Sequence, residues 1–119
     1  MIPGRVDWFE LRTPDLEAAT AFFGVLLGWN FKPFESFGVT VWNGADEIGM
    51  MTATDSAPGG PPGTLVYAYV DDLRASVDLA VRLGARVDVP PTFIDDESGA
   101  FACLTEPTGL AFGLWAGAL

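Results

Sequence analysis

Glu10 is the side chain of this sequence best placed for proton transfer. It lies in the run Trp8-Phe9-Glu10-Leu11-Arg12, which reads as a strand. Alternation puts Trp8 and Glu10 on one face, and Phe9 and Leu11 on the other. Phe9 and Leu11 suit packing under a helix, so Glu10 faces the other way. A carboxylate among apolar side chains is desolvated, which favours its protonated form. A glutamate becomes a general acid or base near neutral pH in this way. The same position suits a ligand anchor, or a structural bond to Arg12, Tyr67 or backbone, and these three roles stay open.

Other chemistries are excluded by residue type. The 119 residues include no histidine, which removes histidine-based zinc and iron sites and Ser-His-Asp triads. Cys103 is the single cysteine, so no disulfide forms within the chain. Without a cationic partner it reads as a buried structural thiol rather than a nucleophile. Asp95-Asp96-Glu97 lacks the ligand spacing of a calcium loop and reads as solvated charge; Asp71-Asp72 reads as a helix cap. The Gly-Pro-rich run before Thr64 leads into a strand and carries no lysine, so it is not a phosphate loop. The net charge of −10 argues against nucleic acid and anionic membranes as partners. No apolar run approaches the roughly 20 residues of a membrane span, and Met1-Ile2-Pro3-Gly4-Arg5 does not read as a signal peptide. The expectation is a cytoplasmic protein, and its single lysine, Lys32, suits a GC-rich bacterial genome.

The elements that position these residues repeat. Trp8 to Gly28 and Leu65 to Gly84 each read as strand, helix and glycine stop, with Asp15 matching Asp72 and Leu16 matching Leu73. Thr13 is the expected cap of the first helix, and Asp71 or Asp72 of the second. Leu16, Ala19, Phe23 and Leu26 form one apolar stripe; Leu73, Val77, Ala80 and Val81 form the other. Gly28 and Gly84 fit the left-handed position after a helix. Three strands are expected after each helix: 29–34, 37–42 and 47–52, then 86–89, 99–104 and 110–115. The chain is thus read as one α+β domain over 1–119, with module one at 5–55, a linker at 56–63 and module two at 64–117.

Thr13-Pro-Asp-Leu-Glu-Ala-Ala-Thr-Ala-Phe-Phe23, Leu27-Gly28-Trp29 and Glu106-Pro-Thr-Gly109 resemble motifs of the vicinal oxygen chelate superfamily, which includes glyoxalase I, bleomycin-resistance proteins and extradiol dioxygenases. The resemblance implies two βαβββ modules whose mixed sheet forms a cup with the helices outside, and a homodimer. Family enzymes hold a divalent metal in that cup. Carried over by position, the ligands would fall on Trp8, at or next to Leu65, near Gly49 and on Gly113. None of these side chains can ligate a metal, so neither metal nor cofactor is expected. A cup lined by Trp8, Trp42, Tyr67, Tyr69, Phe101 and Trp115 would suit a flat or apolar small molecule. The leading expectation is metal-independent binding of such a partly aromatic molecule. The alternatives are a metal-free isomerase, cyclase or lyase with Glu10 as base, and a non-catalytic interaction domain whose cup is filled by its own side chains.

Overall fold

The computed structural model describes residues 2–36, 38–54 and 63–119. Module one runs β1 (Val6–Thr13), α1 (Leu16–Leu27), β2 (Asn30–Phe34), β3 (Gly38–Asn43) and β4 (Asp46–Ala53). Module two runs β5 (Gly63–Tyr69), α2 (Leu73–Arg82), β6 (Arg86–Asp95), β7 (Gly99–Thr105) and β8 (Ala111–Ala116). The fold is α+β, with the βαβββ order twice over. By contacts, the residues up to Asp7 group with Leu65–Leu119, and Trp8–Thr64 form the other compact unit. The linker expected at 56–63 lies outside the described residues except for Gly63.

Each module closes its sheet in the same manner. In module one the strand order is β2-β3-β4-β1, and in module two it is β6-β7-β8-β5. The first strand of each module pairs parallel with the last, and the remaining pairs are antiparallel. Parallel neighbours need a long crossover, which the intervening helix and strands supply.

The aspartates start both helices. The Asp15 carboxylate accepts the Ala18 N–H at 3.0 Å, and Asp72 accepts that of Ala75 at 3.0 Å. Thr13 is therefore not the cap; its hydroxyl accepts the Asp15 N–H one step earlier. Thr13 lies two residues before the cap, too far back to reach the unpaired N–H groups of the first turn. Gly28 (φ 71°) and Gly84 (φ 101°) take the left-handed conformation after each helix.

The core of module two sits between α2 and one sheet face. Leu73, Val77, Ala100, Ala102, Leu104, Leu114 and Ala116 are buried together. Val81, expected in that stripe, is exposed, while its neighbour Ala80 packs against the core. In module one, α1 contributes Leu16, Ala19 and Phe23 as half-buried residues, while Leu26 is exposed on the outer side. Trp29 stacks between Phe23 of α1 and Phe9 of β1, at ring distances of 5.5 and 5.7 Å. That stack fixes which face of β1 lies under the helix.

β6 continues through Pro90-Pro91 to Asp95, past the expected end at Val89. Proline lacks the N–H a ladder needs, but β6 is the outer strand of its module and its register shifts between Val89 and Thr92. The strand expected to start at Phe37 begins at Gly38 among the described residues. The Asn43-Gly44 hairpin turns with Gly44 at φ 63°.

Candidate functional site

In module one the face away from α1 is polar and aromatic. Phe9 points to Trp29 and the helix, so Glu10 points to the opposite side. Glu10 is buried, with 5% of its surface exposed. Its Oε2 accepts the Thr52 hydroxyl at 2.9 Å and the Arg12 Nε–H at 3.2 Å. Parallel pairing sets Glu10 opposite Met50 and Arg12 opposite Thr52, so the two donors converge from neighbouring strands. Both the salt bridge and the hydroxyl bond are largely shielded from water, where a charge-assisted bond is worth more than at a surface. A carboxylate held this way has a fixed direction. It can receive a proton or a ligand's donor without first being ordered.

Farther across the same face, Trp42 is half-buried. Its indole N–H donates to the Thr40 hydroxyl at 2.9 Å, and the Lys32 ammonium stands 3.8 Å above its ring. The Trp42 face therefore already accommodates a cation. Trp8 is half-buried.

In module two the side away from α2 carries the aromatic cluster. Core residues Ala100, Ala102, Leu104 and Leu114 alternate with Phe101, Cys103, Gly113 and Trp115, which face the other way. Tyr69 meets Trp115 edge to face at 5.1 Å, and Tyr67 meets Phe101 at 6.5 Å. The Trp115 indole N–H donates to Asp7 Oδ1 at 3.0 Å. The Tyr67 hydroxyl and the Cys103 thiol share a buried contact of 3.4 Å. Tyr69, Phe101 and Trp115 are half-buried, so the face keeps accessible ring surface.

The residues present do not fit the metal that the resemblance implies. Gly113 faces Tyr67 across β5 and β8, and a Cβ there would come within 2.2 Å of the Tyr67 ring. The ring fills the space a ligating side chain would need. Leu65 is a buried hydrocarbon, and Trp8 offers no ligand atom. Gly49 itself lies opposite Phe9, and a Cβ there would meet the Phe9 ring at 2.7 Å, so it belongs to the helix side. The position matching Gly113 in module one is Met50, opposite Glu10. Among the described residues no group of three His, Cys, Asp or Glu side chains could hold a metal ion.

The structure thus brings Tyr67 to Phe101 and Tyr69 to Trp115, and sets Glu10 with Arg12. Sequence reasoning missed Thr52, Lys32, Thr40 and Asp7 as partners. Thr52 had a signal, since it lies two residues from Met50 and shares its strand face, but using it required the β1–β4 register. Asp95 and Glu106 serve turns away from this face. Asp95 Oδ1 accepts the N–H groups of Glu97 and Ser98, and its carboxyl is held below the usual range chiefly by the Ser98 bond. Glu106 accepts from the Thr108 hydroxyl and the N–H groups of Leu110 and Thr108, which lower its carboxyl in that order and tie the Glu106-Pro-Thr-Gly109 turn.

Comparison with known proteins agrees with this architecture. The bleomycin resistance protein-like N-terminal family matches residues 5–43. A Mycobacterium bovis protein provisionally named as a glyoxylase, CFP32, is 35% identical over 94% of this chain and 45% of its own length. The anthracycline biosynthesis protein DauV of a Streptomyces species is 33% identical over 95% of this chain and 42% of its own. The chain spans about half the length of these curated relatives. An extradiol ring-cleaving dioxygenase from Brevibacterium fuscum shares the fold, with a TM-score of 0.72 at 14% identity over 96% of this chain and 32% of that one. These likenesses support the vicinal oxygen chelate superfamily, and the fold is that of its members.

Proposed function

We propose that this chain binds a small, partly aromatic organic molecule without a metal, against the helix-free face of its sheets. The observation that carries the reading is the cluster of half-buried rings Tyr69, Phe101 and Trp115 around buried Tyr67, where a metal ligand would otherwise stand. Edge-to-face rings anchored by the Trp115–Asp7 bond offer preorganised flat surface at low entropic cost. The net charge of −10 favours a cationic or neutral ligand over an anion. The relative named for anthracycline biosynthesis supports fused aromatic rings as the ligand class. Titration of an anthracycline, followed by tryptophan fluorescence, tests this. Saturable one-to-one binding that weakens at least tenfold in Trp115→Ala is expected. Absence of binding by any fused-ring aromatic up to millimolar concentration would refute it.

A second reading, a metal-free isomerase, cyclase or lyase, is favoured by Glu10. A buried carboxylate with two converging donors is more order than packing alone requires. The relative named as a glyoxylase lends the same support. Product analysis after incubation with excess ligand separates the two: recovered intact, the ligand is sequestered; converted beyond one equivalent, it is a substrate.

A further inference from the structure

Residues 8–64 carry two basic side chains, Arg12 and Lys32, and both stand on the sheet face away from α1. Lys32, Thr40, Met50 and Glu10 form one row across β2, β3, β4 and β1; Phe34, Gly38, Thr52 and Arg12 form the next. Arg12 is largely enclosed, with 15% of its side chain exposed, yet it spends a single donor. Its Nε–H binds Glu10 Oε2 at 3.2 Å, and among the described residues Nη1 and Nη2 donate to nothing. Neither is sealed in, since no buried side-chain nitrogen or oxygen among the described residues lacks a partner. A surface arginine leaves such donors to bulk water. One drawn into a sheet face loses part of its hydration, and its unused N–H groups then favour an acceptor that joins them there. Glu10 holds the guanidinium through Nε, so the Nη edge is presented in one direction.

We propose that the Nη edge of Arg12 binds the carboxylate of a small aromatic acid, with Glu10 as its positioning residue. Two parallel N–H bonds meet two carboxylate oxygens, a fit that an ammonium cannot copy. Charge agrees with this. Arg12 and Lys32 outnumber Glu10 on the face, so one monoanion completes neutrality. The other described carboxylates of the module, Asp15, Glu17, Glu35, Asp46 and Glu47, are exposed, where salt screens charges separated by more than roughly 8 Å. The chain's charge of −10 therefore slows an anion's approach more than it opposes the bound ion. The row also leaves room for a ring. Gly38 is two strands from Arg12, roughly 10 Å along the sheet, about the length of a two-ring acid. A Cβ at Gly38 would stand 2.6 Å from the Met51 carbonyl oxygen, so the step in the row stays open to a flat group. Phe34 and Met50 flank it with half-buried apolar surface. None of this needs the ring cluster of module two, so it stands apart from the reading above.

Calorimetric titration with 2-naphthoate and with its uncharged isostere 2-naphthamide tests this, on wild type, Arg12→Gln, Arg12→Lys and Arg82→Gln. A charge-assisted pair is worth roughly tenfold or more in affinity, so wild type should prefer the acid by about that factor. Arg82 is exposed at the end of α2 and controls for the loss of one positive charge; its variant should keep the preference. Arg12→Gln should bring the ratio of the two affinities to about one. That ratio is read within one variant, and partial unfolding weakens both probes alike, so a merely structural Arg12 would not move it. Arg12→Lys keeps a charge beside Glu10 and with it the fold, but lacks the fork. It should lose most of the preference, and it carries the test if Arg12→Gln does not fold. Equal binding of the two probes by wild type, or no saturable binding of the acid up to millimolar concentration, would overturn the proposal. So would a preference that survives in Arg12→Gln, is unchanged in Arg12→Lys, or is lost in Arg82→Gln. The anthracycline titration of Trp115→Ala uses a different probe, so either proposal can fail alone.

Discussion

Gly113→Ala adds one methyl group, and the structure says where it goes. The new Cβ would stand 2.2 and 2.3 Å from two Tyr67 ring carbons, and 2.8 Å from a third. Ordinary carbon contacts need roughly 3.5 Å, so the ring must move by more than 1 Å. It has little freedom, because Phe101 flanks it and its hydroxyl meets Cys103. Overpacking of this kind costs about 1–3 kcal/mol. Tyr67→Ala alone removes a buried ring and should cost about 3–5 kcal/mol. If the two positions compete for one volume, the double variant will lose less than the sum, with a coupling of about 1–3 kcal/mol. Urea unfolding of the four proteins measures it. Additive losses, or a neutral Gly113→Ala, would refute the view that Tyr67 fills the place of a ligating side chain.

Glu10→Gln should lower stability by about 1.5–3 kcal/mol, the scale of a hydrogen bond to a charged group, since Arg12 is left beside a neutral amide; Thr52→Val should cost less, and its coupling to Glu10→Gln in a double-mutant cycle reads the shared Oε2 contact. Glu106 has its folded-state pKa lowered by the Thr108 and Leu110 bonds, so its contribution is present above the ordinary carboxyl value of 4.5 and lost as pH falls through the lower folded value. Glu106→Gln should therefore be less stable than wild type near neutral pH and converge with it in acid; a difference that does not shrink on acidification would contradict this.

The module plan was readable because its punctuation is local. Asp15 and Asp72, Gly28 and Gly84, and the alternating strands each act within a few residues. Strand alternation likewise put Glu10 on the side away from Phe9. Register was not readable, because it depends on pairings between strands some 40 residues apart. That is why the sequence places the module-one counterpart of Gly113 only near Gly49, and the β1–β4 ladder is needed to set Met50 opposite Glu10. It is also why Thr52 and Asp7 were missed as partners. The exposed stripe of α1 went unseen for a different reason. Apolar periodicity marked Leu26 as core, but only a folded chain shows that one helix face is already occupied by its own sheet.

Binding that needs no metal is tested most directly by one titration. The protein is dialysed against a strong chelator, divided, and titrated with an anthracycline either in chelator or with added zinc, manganese or ferrous iron. Tryptophan quenching should give the same saturable affinity in every cell, because the rings of Tyr69, Phe101 and Trp115 supply the surface and no group of three His, Cys, Asp or Glu among the described residues could hold an ion. Binding that disappears in chelator and returns with one divalent ion per chain would contradict it.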